Sequence, residues 1–168
     1  MSANLYFYFL CKNFLQHFFY KLLIMRKILN EELNRLSIEQ FKTTNKNPFV
    51  VVLDNVRSMN NVGSVFRTCD AFLAEKIFLC GITPTPPHRD IQKTALGATE
   101  TVDWQYFQNT IDAINILKSN NYKIISIEQV ENSVQLNNFN PSKDDKFAFV
   151  FGNEIGRAHV WTPVTASY

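Results

Sequence analysis

Three stretches of the sequence gather groups that could do chemistry. In Asn61-Val-Gly-Ser-Val-Phe-Arg67 a carboxamide opens a run with helical apolar spacing. A glycine lets another group approach the first turn closely, and a guanidinium follows nearly two turns later. Six residues apart, Asn61 and Arg67 are not stacked on one another, but both can border one cleft. The plainer reading, in which Asn61 caps the helix and Arg67 is a surface charge, stays open on spacing alone. Phe151-Gly-Asn-Glu154 joins a glycine able to expose backbone groups to a carboxamide and a carboxylate; by itself it also reads as an ordinary strand-to-loop turn. Lys93-Thr-Ala-Leu-Gly-Ala98, preceded by His88 and Arg89, offers positive charge beside a small-residue turn, or simply a solvated loop.

Other chemistries lack their residues. The sequence has neither G-x-G-x-x-G nor G-x-x-x-x-G-K. Its three histidines, His17, His88 and His159, suggest no histidine-based metal site and no hydrolase triad, so no metal is expected. Cys11, Cys69 and Cys80 are odd in number and unrelated in spacing. They argue against a disulfide scaffold and a C-x-x-C metal site, and they fit a reducing, cytoplasmic location.

The elements that must position these groups are legible in outline. Pro48–Leu53 is a β-branched, apolar run and reads as a strand buried on both faces. Lys76–Cys80, Tyr122–Ile127 and Lys146–Phe151 read as further strands, the first closed by Gly81 and the last by Gly152. Residues 30–42 predict a helix with Asn30 as N-cap and Glu31 and Glu32 at its positive end. Helical spacing recurs over Asn61–Leu73 and over Asn109–Lys118, where Ile111, Ile114 and Leu117 share a face. Pro84, Pro86 and Pro87 keep regular structure out of residues 83–90, and Val102 and Trp104 suit a short strand. Strands alternating with helices imply a mostly parallel sheet with flanking helices. Ligands of such sheets bind beyond the carboxyl ends of the strands, where Asp54–Gly63, Glu128–Asn132 and Gly152–Glu154 fall.

A chain of 168 residues suits one domain, and 46% hydrophobic with 19% charged residues is a globular balance. With 17 basic and 15 acidic side chains the net charge is +2, so any nucleic-acid contact must come from a local patch. Lys12, Lys21 and Arg157 lie in the two ends, which leaves 14 basic against 15 acidic residues between Met25 and Glu154.

The ends differ from the middle. Residues 1–24 hold five of the 15 phenylalanines, interrupted by Lys12, Asn13, Gln16, His17 and Lys21. The interruptions argue against a membrane span, which needs about 20 mainly apolar residues, and no signal-peptide pattern is visible. This composition is what translated AT-rich non-coding DNA yields, and a helix pattern follows Met25. Residues 1–24 are therefore expected to be a non-native upstream extension, with an amphipathic surface helix as the alternative. Ile155–Thr165, IGRAHVWTPVT, resembles one reading frame of a common sequencing adapter, with Trp161 standing at a TGA. Residues 155–168 are expected to be an adapter-derived tail, the alternative being a loop-like tail that turns at Pro163.

Taken together, the three stretches resemble a known family. Leu53-Asp-Asn-Val-Arg-Ser-Met-Asn-Asn-Val-Gly-Ser-Val-Phe-Arg-Thr-Cys-Asp-Ala-Phe72 is similar to the first signature of the SpoU class of RNA ribose methyltransferases. Lys93–Ala98 resembles the family's central segment, and Phe149-Val-Phe-Gly-Asn-Glu154 the start of its second signature. The resemblance covers residues 25–154. It implies a SPOUT fold, a parallel α/β sheet whose C-terminal part threads a trefoil knot, and a homodimer with the active site at its interface. It also implies S-adenosylmethionine as methyl donor and a ribose 2′-hydroxyl of RNA as acceptor. By position Asn61, Arg67 and Glu154 match the family's catalytic residues, and Gly152 matches the glycine lining the donor site. Arg57, Arg67 and Lys93 are the expected RNA-binding cations. The third signature, which closes the knot and most of the donor pocket, is not found after Glu154. The knot-forming part is therefore expected to be missing, leaving Lys146–Phe151 with an uncovered face or edge and the 168-residue chain an inactive fragment.

The chemistry fits the residue types. A ribose hydroxyl is a poor nucleophile, so an enzyme must align it with the donor and stabilise charge growing on its oxygen. The family's arginine is often cast as a base, but a guanidinium has a pKa above about 12. Binding of the adjacent phosphate and stabilisation of the oxyanion suit Arg67 better. A tRNA target is favoured over rRNA, because the middle of the chain is short and carries no added RNA-binding domain. The rival reading is a non-catalytic RNA-binding module of the same fold.

Overall fold

The apolar run at the head of the first signature has no polar side, and the strand it forms is covered on both faces. Strand β1 (Asn47–Asp54) turns Val51 and Leu53 into one core cluster and Val50 and Val52 into another. The computed structural model describes residues 29, 32, 36–128, 130–131, 133–142, 144–152 and 165–167. The chain divides into two units, residues 1–36 and 37–168. All elements named below belong to the second. The expected upstream extension over residues 1–24 lies outside the described residues, as does the tail over 155–164.

Helix α1 (Ile38–Thr43) is followed by β1, α2 (Met59–Ala71), β2 (Ala74–Cys80), α3 (Arg89–Ala95), α4 (Ala98–Thr101) and β3 (Trp104–Phe107). Then come α5 (Thr110–Ser119), β4 (Tyr122–Ile127), β5 (Val134–Gln135), β6 (Lys146–Gly152) and β7 (Thr165–Ser167). The strands form one sheet in the order β3-β2-β1-β6-β4-β7-β5, and every pairing is parallel. On one face α2, α3 and α4 cover Val51, Leu53, Ile77 and Leu79 with Val62, Phe66, Ile91, Ala95 and Ala98. On the other, Ala113, Ile114 and Leu117 of α5 cover Val50, Val52, Phe78, Ile124, Ala148 and Val150. Burial of that many aliphatic and aromatic side chains, each worth about 1.5–3 kcal/mol, is what holds the layers together.

Four readings of the sequence need correction. Among the described residues of the expected 30–42 helix, the regular part is only Ile38–Thr43. It starts at a capping box: Ser37 Oγ accepts from Gln40 N at 3.2 Å and Gln40 Oε1 accepts from Ser37 N at 2.9 Å. The helix of the first signature begins two residues before Asn61, because Ser58 and not Asn61 is its N-cap. Lys93 lies in a helix, so of the two readings of Lys93–Ala98 the solvated loop does not hold for it. The apolar strand Lys146–Phe151 is not an edge, since β6 sits between β1 and β4 with Val150 beside Val52 and Ser126. Of its outer aromatic residues Phe147 is buried, while Phe149 and Phe151 are half-buried, with Phe49 and Phe139 packed nearby.

The two described cysteines are core atoms. Burial pushes the thiol of Cys69 up to about 12. Burial also raises Cys80 to about 12, opposed by a Thr110 hydrogen bond and aided by the charge of Asp54. A thiol held above its unfolded value contributes stability that is complete below about pH 9 and is lost as pH rises towards 12. The melting temperature should therefore fall above pH 9, and less steeply in a Cys69→Val, Cys80→Val variant. Equal slopes for the two proteins would refute this assignment.

Candidate active site

The carboxyl end of β1 launches the helix that carries the first signature. The loop Asn55–Ser58 joins them, and Ser58 Oγ accepts from Asn61 N at 3.2 Å, which fixes where α2 begins. Helical periodicity then sorts the signature into two faces. Val62, Gly63, Phe66 and Cys69 are buried, whereas Asn60, Asn61, Ser64, Arg67 and Thr68 are exposed. Asn61 and Arg67 are about 9 Å apart along the axis and roughly 120° apart around it. Helical side chains lean toward the N-terminus of their helix. The Arg67 stem can thus carry its guanidinium back toward the strand ends, where Asn61 stands. No hydrogen bond or ion pair joins Arg67 to the other described residues.

The close approach that Gly63 permits is made by α3, a partner that the sequence did not identify. A Cβ there would lie 2.1 Å from Thr94 Oγ1 and 2.3 Å from the Ile91 carbonyl oxygen, so α2 and α3 meet where only a glycine fits. Thr94 Oγ1 also donates to the Asn60 carbonyl at 3.1 Å across the same contact. Gly63→Ala should cost about 1–3 kcal/mol by overpacking, read as a lower urea midpoint. An unchanged midpoint would mean that the helices do not approach so closely.

The remaining candidates lie at separate places. Arg57 is exposed in the β1–α2 loop. Lys93 is exposed in the last turn of α3, which ends at Leu96 and Gly97, both with positive φ. Gly152 ends β6 at φ +125°, directly beside Asp54 in the sheet; a Cβ there would lie 2.0 Å from the Asp54 carbonyl oxygen. Glu154 lies outside the described residues. The structure thus brings Asn61 and Arg67 onto one helix at the mouth of the sheet and sets Gly152 at the adjacent strand end, since β6 is the immediate neighbour of β1. Among the described residues no three His, Cys, Asp or Glu side chains gather as metal ligands, and no helix is long and apolar enough to cross a membrane.

Sequence reasoning passed over the polar groups beneath this surface. Asp54, Thr83 and Ser126 are buried. Asp54 Oδ1 accepts from Thr110 Oγ1 at 2.5 Å and from Asn55 Nδ2 at 2.8 Å. Thr83 Oγ1 donates to the Leu53 carbonyl at 3.1 Å and accepts from Val56 N at 3.0 Å. Ser126 Oγ, near the carboxyl end of β4, has no hydrogen-bond partner among the described residues. The available signal was a lone carboxylate closing an apolar run.

Residues 48–156, about two thirds of the chain, match the SpoU rRNA Methylase family. The chain belongs to that family. An uncharacterized tRNA/rRNA methyltransferase of Borreliella burgdorferi is 26% identical to the SpoU chain over 125 residues, which are 73% of this chain and 52% of that protein. The AdoMet-bound rRNA methyltransferase from Sinorhizobium meliloti shares its fold at a TM-score of 0.61 and 23% identity, over 73% of this chain and 48% of the other. A structure described as giving insights into the 2-OH methylation of C/U34 on tRNA matches at a TM-score of 0.57 and 15% identity, over 71% and 78% of the two chains. The SPOUT methyltransferase architecture implied by the signatures is the fold these SpoU structures share. The chain spans about half the length, or less, of the curated relatives it matches.

Proposed function

We propose that this SpoU domain serves S-adenosylmethionine-dependent methylation of a ribose 2′-hydroxyl in RNA. The observation that carries the reading is the placement of Asn61 and Arg67 on the exposed face of α2, at the carboxyl end of the central strand. Fold neighbours include a structure described as an RNA 2′-O ribose methyltransferase and two methyltransferases solved with AdoMet, which supports the same donor and acceptor here. The residues present fit that donor. Gly152 closes β6 without a side chain, the place of a Cβ being taken by the Asp54 carbonyl of β1, so a donor contact there would be to backbone, and Ser126 holds a buried hydroxyl, unpartnered among the described residues, near the end of β4.

Gly152 and the segment after β4 would hold the donor, with Glu154 helping to orient the polar network. When bound, S-adenosylmethionine supplies an electrophilic methyl group already activated by its sulfonium. Arg67, a permanent cation, binds the phosphate next to the target ribose and stabilises negative charge growing on O2′. Asn61 fixes the orientation of that guanidinium or of the ribose, and the hydroxyl proton leaves to water. Arg57 and Lys93 add phosphate contacts that position the strand without reading its bases. A tRNA acceptor in the cytoplasm and a homodimer complete the reading. The structure concerned with tRNA position 34 supports the first, since this chain covers 78% of it.

The test, run on the full-length protein, is transfer of a labelled methyl group from S-adenosylmethionine to tRNA and to rRNA, followed by alkaline digestion. Label in alkali-resistant dinucleotides is the expected result. Label on a base would overturn the ribose assignment, and RNA binding without transfer would favour the non-catalytic module.

A further inference from the structure

We infer that Asp54 is a positioning residue for the proposed transfer site, holding in place the loop from which the Asn61–Arg67 helix starts. The inference rests on the methyltransferase reading. Asp54 is only 4% exposed, at the carboxyl end of the central strand β1. Burying a carboxylate is costly and is tolerated when charge-assisted hydrogen bonds compensate. Both bonds that Asp54 makes reach structures around the strand-end crevice. Thr110 Oγ1 belongs to the first residue of α5, and Asn55 Nδ2 to the first residue of the β1–α2 loop.

Asn55 is the hinge of this arrangement. Its φ of +52° is the left-handed conformation, which Asn tolerates better than most residues. Its N–H donates to the Cys80 carbonyl at 3.2 Å, and its Oδ1 accepts from Ile82 N at 3.2 Å. Thr83 fastens the next residue, Val56. Through Asp54 and Asn55 the segments following β1, β2 and β3 are therefore tied to one carboxylate oxygen. An apolar residue of the same volume would leave Thr110 Oγ1 and Asn55 Nδ2 without their acceptor, at a cost in stability, and it could not fix the side chain of Asn55. The helix bearing Asn61 and Arg67 is rigid, so a small error at its first residues is carried to both groups. A displacement of about 1 Å at a reacting group can cost ~10²-fold in rate.

The experiment, in the full-length protein, compares wild type with Asp54→Asn, Asp54→Ala and Thr110→Val. Asp54→Asn keeps an acceptor oxygen for both donors and should retain kcat within about fivefold, whereas Asp54→Ala should lose about 10²-fold with KM for RNA and donor affinity little changed. Thr110→Val should fall between them. Hydrogen exchange, which requires no activity, should show faster exchange at the Asn55, Val56 and Asn61 amides in Asp54→Ala while Val51 and Val52 stay protected. Full kcat in Asp54→Ala, or unchanged exchange in the loop, would overturn the inference. An Asp54→Asn variant as impaired as Asp54→Ala would overturn it too, because the charge itself would then act on a ligand. Should Asp54→Ala not fold, a folded Thr110→Val with unchanged kcat and loop exchange would do the same. A wild-type protein inactive on RNA would instead sink the methyltransferase reading, leaving the exchange comparison to judge the loop.

Discussion

In the full-length protein, Arg67→Ala should lower the turnover of RNA methylation by about 10²–10³-fold while changing donor affinity less than about threefold. The guanidinium is exposed on α2 and makes no hydrogen bond or ion pair with the other described residues, so removing it leaves no buried partner stranded and should not disturb the fold. Its proposed interaction strengthens only as charge grows on the ribose oxygen, which places the loss in kcat and not in binding. Arg67→Lys should recover only part of the rate, because an ammonium keeps the charge but not the planar fork that grips a phosphate. Single-turnover assays with saturating RNA separate the terms. Unchanged turnover in the alanine variant would remove Arg67 from the mechanism, and a matching loss of donor affinity would move it to the donor site.

Gly152→Ala should unfold most of the domain at moderate temperature. At φ +125° any Cβ is strained, and here it would stand 2.0 Å from the Asp54 carbonyl oxygen and 3.0 Å from its carbon. Neither atom can move away, since β1 and β6 are paired in register from Phe49 with Phe147 to Asp54 with Gly152. The clash must be relieved by breaking the last pairing of the central strands. Such a change belongs with the rare substitutions costing about 4–5 kcal/mol or more, against a total margin of about 5–15 kcal/mol. For a domain of this size a fall of roughly 10–20 °C in melting temperature follows. A variant melting within about 2 °C of wild type would show that the strands do not meet as closely as described.

What was readable in the sequence depended on how local the cause was. The strands Asn47–Asp54, Ala74–Cys80, Tyr122–Ile127 and Lys146–Gly152 announce themselves through apolar runs rich in β-branched or aromatic residues, and Thr110–Ser119 through the spacing of its apolar residues. The start of α2 was misplaced because Asn61 offered an equally good capping side chain, although Met59 already continues the apolar stripe of Val62 and Phe66 and Ser58 is the actual cap. The neighbours of β6 were not legible at all, for an apolar run says that a strand is buried but not between which partners. At the site, residue types and spacing singled out Asn61 and Arg67. They gave no sign that Gly63 is reserved for the passage of α3, or that Asp54 ties three loops together, since both facts arise from segments about 30 or more residues away.

The place of β6 between β1 and β4 also bears on synthesis. The ribosome makes β1, β2 and β3 first, and until β6 emerges these three can pair only with one another. The free edge of β1 must then wait from residue 54 to residue 146, a delay of roughly 5–20 s at ordinary elongation rates of about 5–20 residues per second. During that interval an apolar strand offers unpaired N–H and C=O groups to any other extended segment, including β4 or a neighbouring nascent chain. Translation pauses ahead of Lys146 would prolong this exposure, so the yield of native protein should respond more to codon speed over residues 54–146 than to any single side chain on the surface.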